Sequence, residues 1–162
     1  MNAPNQSKSE EGLKIKSGNS AADASLNVLG DTMYIKVSSR ESAGHATVIE
    51  VITPPGGGTP LHVHRREGEG FHILEGEFLF EVGGKRIEAG PGDFLWAPRN
   101  VPHAYLNSGT TPGRAMLTIT PGGLEEFFKE LSAVEGPPDM AKLLPICSKY
   151  EIAVLGPPLV AG

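Results

Sequence analysis

From Thr32 onward the chain runs in short stretches where apolar and polar residues alternate, each broken by glycine or proline. This period-two pattern, rich in Val, Ile, Phe and Thr, predicts strands at residues 32–37, 46–53, 70–74, 77–82, 85–88, 93–97, 104–107 and 115–120. Gly83-Gly84 between two of them is a hairpin signal, and Pro54-Pro55-Gly56-Gly57-Gly58 separates another pair. Many short strands joined by turns mean a sandwich or barrel. After Pro121-Gly122-Gly123 the period changes. Leu124, Phe127, Phe128 and Leu131 recur at helical spacing with Glu125, Glu126, Lys129 and Glu130 opposite, which predicts an amphipathic helix packed on the barrel rather than gating a ligand. A second helix is expected over 138–150, kinked or interrupted at Pro145. Residues 152–155 read as an edge strand or a segment wrapping a partner subunit. Residues 1–25, rich in Asn, Ser, Lys and Glu, cannot bury enough apolar surface to offset ordering and read as a flexible arm. The expected division is therefore an arm at 1–25, a barrel at 26–121, and C-terminal helices and tail at 122–162, packed on the barrel or on a partner.

Composition narrows the classes. The 162 residues suit one domain, and the 21 glycines and 14 prolines fit turn-rich β structure better than a helical bundle. A net charge of −5 argues against a nucleic-acid surface, which needs clustered Lys and Arg; only Arg65-Arg66 and Lys85-Arg86 stand in pairs. Cys147 is the only cysteine, so no intrachain disulfide forms, and it reads as a small buried apolar residue. The first twenty residues carry no apolar core of a signal peptide, and no run is long enough to span a membrane, so a cytoplasmic protein with no membrane partner is expected.

Chemistry concentrates between Gly56 and Asn107. In an extended strand His62 and His64 project from one face, about 6–7 Å apart, where two imidazoles can grip one cation. Arg65-Arg66-Glu67-Gly68 suits a tight turn, and a hairpin there folds Glu69 back beside the pair. Pro98 and Pro102 stiffen the approach to His103, which supplies a third imidazole from a distant strand. Three imidazoles and one carboxylate form a metal-ligand set.

The spacing Gly56, five residues, His62-x-His64, four residues, Glu69, six residues, Gly76 resembles the first motif of the cupin superfamily with every fixed position filled. Gly92, five residues, Pro98-x-Asn100-x-x-His103-x-x-x-Asn107 resembles the second, with Asn100 where the family usually has glycine; asparagine tolerates the left-handed backbone a turn there needs. The likeness covers roughly residues 44–120. It implies an all-β fold, the antiparallel double-stranded β-helix or cupin jelly roll, with a short C-terminal helical segment added. It also implies one divalent transition metal (Fe, Mn, Ni, Co, Cu or Zn) on His62, His64, Glu69 and His103, with open positions for water, dioxygen or substrate. Single-domain cupins commonly pair, so a homodimer is expected, with the stretches at 1–30 and 150–162 as candidates for exchange.

Alternation from Glu69 places Phe71 and Ile73 on the metal's face and His72 on the other. Phe78 and Phe80 share a face, and Trp96 and Tyr105 lie close to the second motif, so these six residues are the expected pocket lining. Glu50 interrupts the apolar run 48–52 and is a weak candidate general base if it faces the bowl, a solvated strand residue if it faces out. His45 is expected on the surface. Three functions stay open: a metal-dependent dioxygenase resembling quercetin 2,3-dioxygenase-like cupins and acting on a small aromatic or enolisable substrate, a non-redox isomerase or lyase, and a small-molecule-binding cupin without catalysis. Few basic residues on the predicted inner strands count against a phosphosugar.

Overall fold

The computed structural model describes residues 12–22 and 24–162. Among the described residues, eleven strands form two antiparallel sheets. The strands are β1 (Leu26–Val28), β2 (Asp31–Val37), β3 (Thr47–Thr53), β4 (Pro60–His64), β5 (Gly68–Glu75), β6 (Phe78–Val82), β7 (Lys85–Ala89), β8 (Phe94–Ala97), β9 (His103–Asn107), β10 (Gly113–Thr120) and β11 (Ile152–Pro158), with helices α1 (Glu125–Ser132) and α2 (Met140–Lys149) before β11. The first sheet has the order β1-β2-β3-β10-β5-β8 and the second β11-β4-β9-β6-β7. Inward residues of both sheets, among them Ile49, Val51, Phe71, Ile73, Phe80 and Ile119, form one apolar core. This is an all-β jelly roll with helices at its C-terminal end.

Turn chemistry explains the corners. Gly56, Gly76 and Gly92 all have positive φ, and Asn100 joins them at 67°, the left-handed backbone expected of the residue that replaces glycine. Asn107 ties loops together: its amide nitrogen donates to the Thr53 and Thr111 carbonyls at 2.9 Å each, and its Oδ1 accepts from the Gly109 N–H at 3.0 Å.

The helix period is realised as α1, whose entry is fixed by Glu125. That buried carboxylate accepts from the Ser39 N–H at 2.8 Å, from the Gly123 N–H at 3.1 Å, and from the Ser39 and Thr47 hydroxyls. Pro145 does not interrupt α2, which runs from Met140 to Lys149 with the proline inside it, behind an Asp139 cap that accepts from the Ala141 N–H. The predicted edge strand is β11, paired with β4.

Two expectations change. The turn at 65–67 is no hairpin: β4 and β5 belong to different sheets, so these residues carry the chain around a corner from one sheet to the other. The arm assigned to 1–25 is anchored where it is described, while residues 1–11 and Asp23 lie outside the described residues. Lys36 Nζ donates to the Lys16 and Asn19 carbonyls at 2.7 and 2.6 Å, and the Ala21 N–H reaches the Ile35 carbonyl at 2.8 Å. Among the described residues no helix is long and apolar enough to cross a membrane.

Candidate metal centre

His62 and His64 stand two apart on β4, and His62 is the register partner of His103 on β9. Those three imidazoles therefore come from one sheet, and Glu69 reaches them from β5 of the facing sheet. The ligand atoms all lie within 4.8 Å of one another. Nε2 of His62 is 3.1 Å from Nε2 of His64, and Glu69 Oε2 lies 3.0 Å from His103 Nε2 and 3.6 Å from His64 Nε2.

The other ring nitrogens explain why Nε2 points inward. In the neutral rings, His62 Nδ1–H donating to the Pro60 carbonyl at 2.7 Å and His103 Nδ1–H to the Val101 carbonyl at 3.1 Å leave the Nε2 lone pairs at the centre, whereas a protonated His103 also donates from Nε2 to Glu69 Oε2. Burial, with His103 and His64 beside it, pushes His62 down to about 3, so it is a neutral ligand at neutral pH. Burial alone would raise Glu69, but the His103 hydrogen bond and the surrounding imidazoles outweigh it and hold the carboxyl below its usual range. Burial likewise acts to lower His103, and the Glu69 carboxylate reverses it, raising the imidazole. Three neutral-capable imidazoles and one anionic oxygen, converging with their lone pairs, fit a divalent transition metal.

Above the cluster opens a cavity of about 100 Å³. Its walls are apolar side chains of β1, β2, α1, α2 and β11, including Met33, Phe127, Phe128, Leu131 and Leu143, with His62, His64 and Glu69 at one end. The α1 face predicted only to pack on the barrel is thus also a wall of the cavity. Spacing gave no sign of this, because Leu124, Phe127, Phe128 and Leu131 form the ordinary i, i+3, i+4, i+7 stripe of any helix packed on a core.

Of the six residues expected to line the pocket, Tyr105 does so. Phe71, Phe78 and Phe80 pack instead with Tyr105 as an aromatic cluster behind the site, ring centroids 5.1 to 6.2 Å apart, and Ile73 is fully buried in the core. Phe71 stands under the ligands, 6.1 Å from the His103 ring. Trp96 requires a correction: it is 49% exposed on the outside of the barrel. Ala97 is the register partner of Glu69 and Trp96 that of Gly70, so strand alternation sends Ala97 inward and Trp96 outward. There the indole lies over Gly68, where an added Cβ would come within 2.5 Å of it.

Glu50 also faces away from the bowl, yet it is not solvated. It is 2% exposed, pairs with Lys36 at 2.7 Å and Arg114 at 3.3 Å, and accepts from Ser17 and the Gly18 N–H under the N-terminal segment. It holds that segment and is no base for the cavity. His72 and His45 are both exposed. Two acidic residues escaped the sequence reading: Glu67, buried beside His64, and Asp31, buried against Tyr105.

Residues 49–120 match the family described as the cupin domain. Over that stretch the barrel is similar to a cupin domain. A quercetin 2,3-dioxygenase of Bacillus subtilis is 33% identical over 104 residues, 63% of this chain and 30% of that protein. An oxalate-binding protein of Thermotoga maritima is 36% identical over 58 residues, 36% of this chain and 48% of that protein. The chain spans between 30% and 53% of the length of the curated relatives it matches. Among solved structures, a predicted oxalate decarboxylase from Thermotoga maritima aligns with TM-score 0.60 and 24% identity over 67% of this chain and 99% of that one. KdgF from Halomonas sp. aligns with TM-score 0.54 and 18% identity over 60% of this chain and 84% of that one. Both structures share the fold of this chain.

Proposed function

We propose that this cupin is a metal-dependent dioxygenase acting on a small enolisable or aromatic organic substrate. The observation that carries the reading is the cavity's lining: apolar walls on the open side of the His/Glu cluster, with no Lys or Arg among the described residues that form them. Such a bowl receives a neutral, planar, weakly acidic molecule and offers nothing to a phosphate or a polyanion. The similarity to a quercetin 2,3-dioxygenase over the barrel supports the same class.

His62, His64 and His103 through Nε2, and Glu69 through Oε2, would hold the ion. Bound there, a divalent transition metal supplies Lewis acidity and one-electron chemistry. The chain supplies the rest: imidazoles fixed in one tautomer, a dry apolar wall that excludes water, and a confined volume. The size of the cavity points below a flavonol. An engineered protein cavity of about 150 Å³ accepts one benzene ring, and this one is about 100 Å³.

Elemental analysis of the untagged protein, followed by oxygen uptake with small diketones and catechols, tests the reading. About one equivalent of iron, nickel, copper, cobalt or manganese with uptake supports it. Zinc alone transfers the assignment to a non-redox isomerase or lyase, and no stoichiometric metal leaves a small-molecule-binding cupin. A homodimer is part of the same proposal, although β1 and β11, near the termini expected to exchange, pair here with β2 and β4 of their own chain. Gel filtration at the mass of one chain would remove it.

A further inference from the structure

The cavity lining also carries a hydrogen-bonded acid–phenol pair outside the histidine and glutamate cluster. Asp31 opens β2 directly after the β1–β2 turn and is 4% exposed. Its Oδ2 accepts the hydrogen of the Tyr105 hydroxyl, a bond that crosses from one sheet to the other, with Thr53 beside both groups. Its second oxygen, Oδ1, is buried and finds no hydrogen-bond partner within bonding geometry among the described residues, although the Thr53 hydroxyl is close enough to the carboxyl to act on it. A buried carboxyl oxygen left unpartnered is costly, and such groups are tolerated where something else supplies the partner. Asp31 and Tyr105 both line the same cavity as His62, His64 and Glu69.

We propose that Asp31 Oδ1 is the proton acceptor for the substrate in this cavity, with Tyr105 as its positioning residue. The inference rests on the reading of the cavity as the site of an enolisable substrate and adds the group that ionises it. A substrate O–H, or a C–H next to a carbonyl, breaks; its electron pair stays on the substrate as an enolate beside the histidine and glutamate cluster, and the proton moves to Oδ1. The resulting carboxylic acid returns the same proton to the product. No oxidant enters this step. Tyr105 donating to Oδ2 leaves Oδ1 as the basic oxygen and fixes the carboxyl plane. Burial raises Asp31 to about 6, against the Tyr105 and Thr53 hydrogen bonds, which places a weak base in the range where a carboxylate exchanges protons at neutral pH.

A proton count on binding tests this without turnover. Acetylacetone is titrated into the zinc-loaded full chain by calorimetry in buffers of different ionisation heat, while its ultraviolet absorption reports enolate formation. The other titratable groups on the cavity are His62, His64 and Glu69, which the zinc holds in their ligating forms, and Tyr105 and Cys147, which burial pushes up. At about pH 8 the wild type is expected to bind the enolate and release close to no proton, because Asp31 keeps it; at about pH 5, where Asp31 is already protonated, release rises to about one per bound probe. Asp31→Asn is expected to release about one at both values, and Tyr105→Phe to move the change to higher pH. If Asp31→Asn does not fold, Tyr105→Phe decides the matter, because proton uptake by a zinc-bound hydroxide would leave the midpoint unmoved. Release of about one proton by the wild type at both values overturns the role of Asp31 alone. Failure of the zinc-loaded wild type to bind acetylacetone overturns the enolisable-substrate reading and this inference with it.

Discussion

His64 Nδ1 lies 3.7 Å from Glu67 Oε2, and both atoms are buried without a hydrogen-bond partner. The corresponding nitrogens of His62 and His103 are satisfied by backbone carbonyls, so His64 alone among the three relies on a side chain for its orientation. A metal on Nε2 makes Nδ1–H a stronger donor, and a shift of well under 1 Å brings it within hydrogen-bond range of Glu67. Glu67→Gln is therefore expected to weaken metal binding about 10-fold while leaving the circular dichroism unchanged. Competition against a chromophoric chelator measures it, and an unchanged affinity would show that the carboxylate does not orient His64.

Removing a ligand has a larger effect. His62→Ala deletes the imidazole that stands opposite His103 in register and reduces the donor set to His64, Glu69 and His103. Stoichiometric metal is expected to be lost from the purified protein by elemental analysis, with the fold retained, because His62 is a rim residue of the cavity rather than part of the apolar core. Retention of a full equivalent would mean that the ion sits elsewhere.

The fold was legible wherever local chemistry and tertiary context agree. Alternation located the long strands to within a residue or two, the amphipathic period located α1, and the pairing of His62 with His64 in the candidate cluster was legible because two side chains on one strand face must share a direction. β1 escaped because its turn to β2 is Leu29-Gly30 with both residues at positive φ, and leucine gives no turn signal of the Asn-Gly kind. Asp31 was hidden with it. Trp96 was misplaced because nearness to a motif in sequence says nothing about facing; its register against Gly70 does. Glu50 was read as a choice between bowl and solvent, whereas a third surface, the N-terminal segment, covers it.

That coverage carries a stability prediction. Glu50 is the anion between Lys36 and Arg114, and its folded carboxyl is held below the usual range: burial alone would raise it, and hydrogen bonds from Lys36, Gly18, Arg114 and Ser17 outweigh that. A lowered folded value means the contribution is present at neutral pH and is lost as pH falls through the acid range. Glu50→Gln leaves the Lys36 ammonium buried without its anion and is expected to cost about 3–5 kcal/mol at neutral pH. Hydrogen exchange is expected to speed at Gly18 and Ala21, and urea unfolding to show the loss. Wild-type stability in the variant would mean the N-terminal segment holds without the ion pair.

Asp31 has the opposite sign. Burial raises its folded carboxyl from an ordinary 3.8 to about 6, so between those values the folded chain holds a proton that the unfolded chain has lost. The native state then binds more protons than the unfolded one, and stability falls as pH rises through that window. A shift of that size corresponds to about 3 kcal/mol, so the metal-free wild type is expected to lose up to about that much between pH 4 and pH 7 through this one group. Asp31→Asn cannot ionise and is expected to flatten the slope over the same window while keeping the acceptor for Tyr105. Urea midpoints of both chains across the range measure the difference. A wild-type slope matching that of the variant would place Asp31 at an ordinary carboxylate value, without the burial penalty that makes it a useful base. A steeper wild-type slope would show the fold giving up stability at neutral pH to keep an unpartnered carboxylate inside an apolar cavity, a trade that favours function at that position over packing.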